Sequence, residues 1–178
     1  MDISGDKVQL FRVTVDDLDF LCDIECNSEL WEYEETVESD REVVSQTFLD
    51  KINSEDEHQY DFIVCLEAEG IRTPIGLAQI WSYNEYRKSW EIGFAILPLY
   101  SGHGYGSEAA GLLLKFAFEE LKAHKVVGMC NSRNKRSAVL MERIGMTKEA
   151  VFKEELYWRN QWTDQFFYSI LEKEFFAV

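Results

Sequence analysis

The chain has 178 residues, of which 46% are hydrophobic and 14% aromatic, so it can bury a substantial core and is not a disordered segment. Its formal net charge of −15 repels phosphate, which disfavours a general nucleic-acid binder. No apolar run reaches the roughly 18 residues of a membrane span, and the polar, acidic start from Met1 to Lys7 does not resemble a signal peptide.

Val8 to Val13 alternates apolar and polar residues and predicts a first strand. Asp16 and Asp17 can cap a helix whose apolar residues are Leu18, Leu21, Cys22 and Ile24. A second helix is predicted over about Ser39 to Ile52, with Val43, Val44, Phe48 and Leu49 on its inner face. Tyr60 to Glu67 and Ile75 to Trp81 read as a strand pair whose turn carries Gly70 and Pro74. Trp90 to Leu97 is a further strand, stopped by Pro98. The strongest helix follows a glycine cluster, its inner face being Ala110, Leu113, Leu114, Ala117 and Leu121. Val126 to Cys130 reads as a short strand, Ser137 to Ile144 as a helix ended by Gly145, and Glu149 to Phe175 as two antiparallel strands. The order predicts a mixed α+β fold. With no repeat, low-complexity segment or Pro-rich linker, a single domain over residues 1–178 is expected.

Charge is unevenly spread. Met1 to Tyr60 holds 18 acidic and 4 basic residues, a net of −14, whereas Ser101 to Lys148 holds 4 acidic and 8 basic, a net of +4. The first third suits a cationic substrate and the middle tolerates an anionic cofactor; a solvated acidic face is the plain alternative. Cys22, Cys26, Cys65 and Cys130 form no Cys-x-x-Cys pair, and His58, His103 and His124 lie far apart. No metal site is therefore expected, and buried free thiols in a reducing cytoplasm are the simplest reading.

The segment Pro98-Leu99-Tyr100-Ser101-Gly102-His103-Gly104-Tyr105-Gly106-Ser107-Glu108-Ala109 has a strand feeding a glycine-rich turn that opens a helix. Glycines at alternate positions let backbone approach a ligand closely, and the N–H groups at the helix start form an anion site suited to pyrophosphate. The spacing is not the dinucleotide fingerprint, whose third glycine comes later, nor a phosphate loop, since no Gly-Lys-Ser/Thr follows. An NAD-dependent enzyme is thereby disfavoured.

These residues resemble the pyrophosphate-binding motif Gln/Arg-x-x-Gly-x-Gly/Ala of the GNAT acetyltransferases. Gly104 and Gly106 match the two glycines, while Ser101 stands where Gln or Arg is usual. A second stretch, Asn131 to Met146, is similar to the family's Asn-x-x-Ser/Ala helix closing in Gly-Phe, with Met146 in place of the Phe. Leu10-Phe11-Arg12, Trp90-Glu91-Ile92-Gly93-Phe94 and the tail Asn160 to Leu171 resemble the branch of ribosomal-protein N-terminal (alanine/serine) acetyltransferases and spermidine N-acetyltransferases.

The resemblance implies a central, mostly antiparallel twisted sheet of about six to seven strands flanked by about four helices. It implies acetyl-CoA as cofactor, with its pantetheine arm paired along the backbone of Phe94, Ala95 and Ile96. Its pyrophosphate would rest on Ser101, Gly102, His103, Gly104, Tyr105 and Gly106. Asn134, Lys135, Arg136 and Ser137 would complete the cofactor site. The acceptor would be a small-molecule primary amine, such as a polyamine, or a protein N-terminus. A homodimer is left open, and neither nucleic acid nor membrane is expected as a partner. Acetyl transfer to an amine needs a base for the amine proton and stabilisation of the departing thiolate. Glu91 is the candidate base. Glu32, Glu34, Glu35 and Glu38 border the acceptor site, where one of them could replace Glu91. Many members carry Tyr seven positions after the Asn; here Met141 stands there, which leaves the hydroxyl of Ser137 as candidate donor, with Tyr157 and Tyr168 in reserve. Ser101 and Met141 also raise a non-catalytic acyl-CoA sensor as the alternative.

Overall fold

The computed structural model describes residues 2–54 and 57–177. In chain order it runs β1 (Asp2–Ser4), β2 (Gln9–Arg12), α1 (Leu18–Glu25), α2 (Arg41–Asn53), β3 (Gln59–Ala68), β4 (Ile71–Asn84), β5 (Ser89–Ile96), α3 (Tyr105–Glu119), β6 (Lys125–Asn131), α4 (Lys135–Arg143), β7 (Thr147–Trp158), β8 (Gln161–Leu171) and α5 (Glu172–Phe175). All eight strands form one sheet in the order β1-β2-β3-β4-β5-β6-β8-β7, antiparallel except where β5 meets β6. The mixed α+β class is as expected, with one strand and one short helix more than the upper expectation. The additions are β1, too short to show alternation, and the terminal turn α5.

The sheet has a core on each face, as strand alternation requires. On one face α3 and α4 cover Leu10, Phe62, Val64, Ala78, Ile80, Trp90, Ile92, Val126 and Tyr168. On the other, α1 and α2 cover Phe11, Val13, Ile63, Cys65 and Leu77. Every member of the predicted α3 stripe is buried apart from Leu121, which is partly exposed. In α2 the periodicity named too many inner residues: Val44 and Phe48 are buried, but Val43 is 48% exposed and Leu49 is only partly buried. Pro74 sits within β4, not in the turn, opposite Cys65 where the β3–β4 register shifts. A strand tolerates proline at such a bulge. Glu69 and Gly70, both at positive φ, make the turn itself. Cys22, Cys65 and Cys130 are buried free thiols, and Cys26 is partly exposed.

Gly111 lies inside α3 and a Cβ there would meet nothing within 4 Å. Gly111→Ala is expected to raise stability by about 0.5–1 kcal/mol through lower backbone entropy of the unfolded chain. Thermal unfolding checks this; a lower midpoint would contradict the open environment.

The feature that makes a site is where β5 and β6 part. Only Ser89–Lys125, Trp90–Val126 and Glu91–Val127 pair across them. From Ile92 to Ile96 strand β5 keeps its bonds to β4 while β6 follows β8 away.

Candidate active site

The parting of β5 and β6 opens a cavity of about 710 Å³. Its walls are Glu91 to Ile96 of β5, Met129 to Asn131 of β6, one side of α4 and the start of α3. A strap formed by Glu29 to Glu35, between α1 and α2, borders it as well. Phe94, Ala95 and Ile96 therefore lie along the gap, with one edge of their backbone not engaged by β6.

At the α3 end, Pro98 opens a short 3₁₀ turn that ends at Ser101, whose N–H donates to the carbonyl of Pro98 at 3.0 Å. Gly104 is the N-cap of α3 at φ 83°, in the left-handed region, and offers no side-chain cap. The N–H groups of Tyr105, Gly106 and Ser107 therefore have no carbonyl within the helix, and all three residues line the cavity. That arrangement suits a pyrophosphate. Gly106 has a different reason to be glycine: a Cβ there would lie 3.1 Å from Leu140 and 3.4 Å from Ile96, so its absence lets α3 approach α4 and β5. Ser101 and Gly102 also line the cavity, but His103 does not; its ring stacks on Tyr105 at 5.4 Å.

Three hydrogen bonds at this end link residues about a hundred positions apart. Glu108 accepts the N–H groups of Lys7 at 2.6 Å and Val8 at 3.2 Å, and Lys7 Nζ donates to the His103 carbonyl at 3.3 Å. The chain start is thus pinned to the glycine loop.

On α4, Asn134 is the cap: its Oδ1 accepts the Ser137 N–H at 3.0 Å. Asn134 lines the cavity, and its Nδ2 makes no hydrogen bond among the described residues. Arg136 lines it too, whereas Lys135 does not; Arg143, not singled out from the sequence, takes the second cationic place. Ser137 also lines the cavity, beside Cys130. Burial pushes the Cys130 thiol up to about 11, partly offset by the Ser137 hydroxyl, so this cysteine stays protonated near neutrality. Met141 is buried against the sheet, its sulfur close over Gly128, and cannot donate a proton. Tyr157 and Tyr168 do not line the cavity. Tyr168 is fully buried, donates to Glu142 Oε1 at 3.1 Å, and is pushed up to about 12 by burial and that carboxylate.

At the far end Glu91 faces the cavity, and burial raises its pKa above the ordinary carboxylate range, with the Trp81 indole working in the opposite direction. The four acids singled out between α1 and α2 fall into two groups. Glu32 pairs with Arg159 at 3.4 Å, Glu35 accepts the Tyr157 N–H at 2.7 Å, and Glu38 accepts the N–H groups of Ser39 and Asp40 outside this cavity. Of the four, only the Glu34 carboxylate makes no hydrogen bond or ion pair among the described residues; its N–H donates to the Trp31 carbonyl at 3.0 Å. It keeps exposed surface, yet the protein around it and then the Glu35 charge raise its pKa. The strap is clasped to the β7–β8 hairpin: Trp158 Nε1 donates to the Glu32 carbonyl at 2.8 Å, and the Tyr33 and Trp158 rings stack at 5.7 Å. Asn131 Nδ2 donates to the Tyr33 carbonyl at 3.2 Å.

The donors, the glycine cradle and the open β5 edge fit a ligand with a diphosphate at one end and an amide-bearing arm. Comparison with known proteins agrees. An uncharacterized N-acetyltransferase, YnaD of Bacillus subtilis, is 38% identical over 86 residues, covering 48% of this chain and 51% of that protein, so the match spans about half the relative's length. The crystal structure of an acetyltransferase (GNAT family) from Bacillus anthracis matches with a TM-score of 0.83 at 28% identity, covering 97% of this chain and 99% of that one. The spermidine N-acetyltransferase of Vibrio cholerae, in complex with CoA and spermine, shares the fold with a TM-score of 0.86 at 21% identity, covering 97% and 99%. Residues 7–147 match the acetyltransferase (GNAT) domain, and with them the chain is a member of that family, whose acetyl donor is acetyl-CoA.

Proposed function

We propose that the chain is an N-acetyltransferase that moves acetyl from acetyl-CoA to a primary amine on a small cationic acceptor, with one domain spanning the whole chain. The observation that carries this reading is a single cavity with unpaired helix N–H groups at one end and the carboxylates of Glu91 and Glu34 at the other. Acetyl-CoA supplies a thioester carbonyl and a leaving thiolate. Glu91 takes a proton from the acceptor ammonium, and its raised pKa brings it closer to that task near neutrality. Glu34, its carboxylate unpaired among the described residues, attracts the acceptor's charge. Backbone N–H groups of Tyr105 to Ser107 with Arg136 and Arg143 hold the phosphates, and Asn134 Nδ2 reaches an amide of the arm. The Ser137 hydroxyl donates toward the sulfur. The acidic strap and the likeness to proteins named for spermidine favour a polyamine-like acceptor over a protein N-terminus.

The test mixes protein, acetyl-CoA and a set of amines, spermidine and a peptide with a free α-amine among them, and follows release of free CoA thiol. Turnover greatest with small polycationic amines is expected. Tight acetyl-CoA binding without turnover on any amine would instead make this a binding module.

A thiolate has a pKa near ~8.5 by analogy with cysteine and can leave partly unprotonated. Ser137→Ala is therefore expected to lower turnover by up to about 10²-fold, the low end for acid–base catalysis, with a smaller change in acetyl-CoA affinity. Steady-state kinetics with one amine checks this; wild-type turnover would remove the hydroxyl from the reaction.

A further inference from the structure

We propose that Trp81 is the positioning residue of Glu91, fixing the carboxylate toward the acceptor end of the cavity. Trp81 and Glu91 are directly opposed in the β4–β5 register, and opposed residues on neighbouring strands point to the same face. Both line the main cavity. The indole ring extends along that face to Gly93, where a Cβ would sit 3.1 Å from both Cζ3 and Cη2. Glycine at this point of β5 is what gives the ring room to lie across the strand beside Glu91.

The other side of Trp81 faces a second cavity of about 440 Å³, bounded by Glu25, Val44, Phe48, Gln59 and Gln79. Trp81 and Gln79 are common to both cavities, so the indole is part of the partition between them. Gln79 is itself fixed, donating to the buried Asp61 at 2.6 Å. A tryptophan in this place does two things for a base. Its ring keeps water of the second cavity from Glu91, which sustains the burial that raises the carboxyl's pKa. Its N–H favours the ionised form and gives the carboxylate one direction to face.

The other charged or titratable groups around this cavity are Glu29, Glu32, Tyr33, Glu34 and Glu35 of the strap, Tyr100 and Tyr105 at the glycine loop, Cys130 of β6, and Arg136 and Arg143 of α4, while Glu25, Glu38 and Lys51 face the second cavity. Burial and the Trp81 N–H, not these charges, are the causes of the Glu91 shift.

The proposal rests on Glu91 as the base, and the experiment separates the two. In Trp81→Phe, which keeps a ring and loses the N–H, the acidic limb of the kcat/KM profile against pH should move to higher pH by roughly half a unit, because the donor favoured the carboxylate. Acetyl-CoA affinity should hold. Gly93→Ala, which pushes the ring from its seat and opens the partition to water, should instead move the limb to lower pH with Trp81 intact, because loss of burial outweighs loss of the donor. Trp81→Phe added to Glu91→Gln should cost nothing further in kcat, since both act through one carboxylate. An unmoved limb in both Trp81→Phe and Gly93→Ala, beside a Glu91→Gln enzyme that has lost its turnover, overturns the positioning role alone. Near-normal turnover in Glu91→Gln overturns the base and this role together.

Discussion

Glu91→Gln is expected to lower kcat by at least about 10²-fold while acetyl-CoA affinity changes little, the signature of an interaction made in the reaction step and not in cofactor binding. Glutamine keeps the shape of the side chain and its place on β5, so the strand and the gap beside it should survive. Only the proton acceptor goes. In the wild type the carboxyl must be ionised to act, and burial raises its pKa. Activity should therefore fall on the acidic side at a pH above the ordinary glutamate value near ~4.3. The glutamine enzyme should lack that limb, and raising the pH should not restore its rate. A pH–rate series on both proteins, with calorimetry for acetyl-CoA, decides the matter. A glutamine enzyme close to wild type would pass the role of base to Glu34, whose carboxylate has no hydrogen bond or ion pair among the described residues and whose pKa is also raised by burial.

Gly104→Val should show the converse pattern, a loss of cofactor affinity. At φ 83° the residue is in the left-handed region, which costs an L residue roughly 1–2 kcal/mol and a β-branched one more. A Cβ there would also approach Lys7 Nζ at 3.3 Å, disturbing the pin that holds the chain start against the loop. Relief of either strain moves the N–H groups of Tyr105 to Ser107 from their shared direction. Acetyl-CoA affinity is expected to fall by at least ~10-fold, equivalent to about 1.4 kcal/mol, with a lower unfolding midpoint. Gly111→Ala on the same helix is the internal control, since it adds a methyl where nothing is near. Unchanged binding by Gly104→Val would separate the loop from the phosphate site.

Local pattern made some parts of this molecule legible and left others silent. The α3 stripe and the glycine turn before it were readable because both are set by neighbours in sequence. So was the strand leading to Glu91. Val43 was misjudged because it adjoins Val44 on a helix edge, where periodicity does not say how far the neighbouring sheet reaches. The strap acids looked equivalent in sequence. Their difference lies in Arg159 and the Tyr157 N–H, more than a hundred residues away, which engage Glu32 and Glu35 and leave Glu34. Lys135 and Arg136 looked alike too, but adjacent residues on a helix point about 100° apart, and Arg143 shares the cavity instead. Gly93 read only as part of a family-like strand; the ring that requires it comes from β4.

The backbone groups of Ile92 to Ile96 that face away from β4 amount to a strand edge inside the sheet. Exposed edges are templates for any extended chain, and proteins usually blunt them with charge, proline or bulges. Ile92-Gly93-Phe94-Ala95-Ile96 carries none of these. Its safeguard is position: β6 and α4 stand on one side and the strap is drawn down by the hairpin on another, so the edge is recessed from the surface of neighbouring molecules. A narrow, extended guest with its own amide groups can enter the recess, whereas the edge strand of a folded neighbour cannot. The shelter that guards against aggregation is then also a filter on ligand shape.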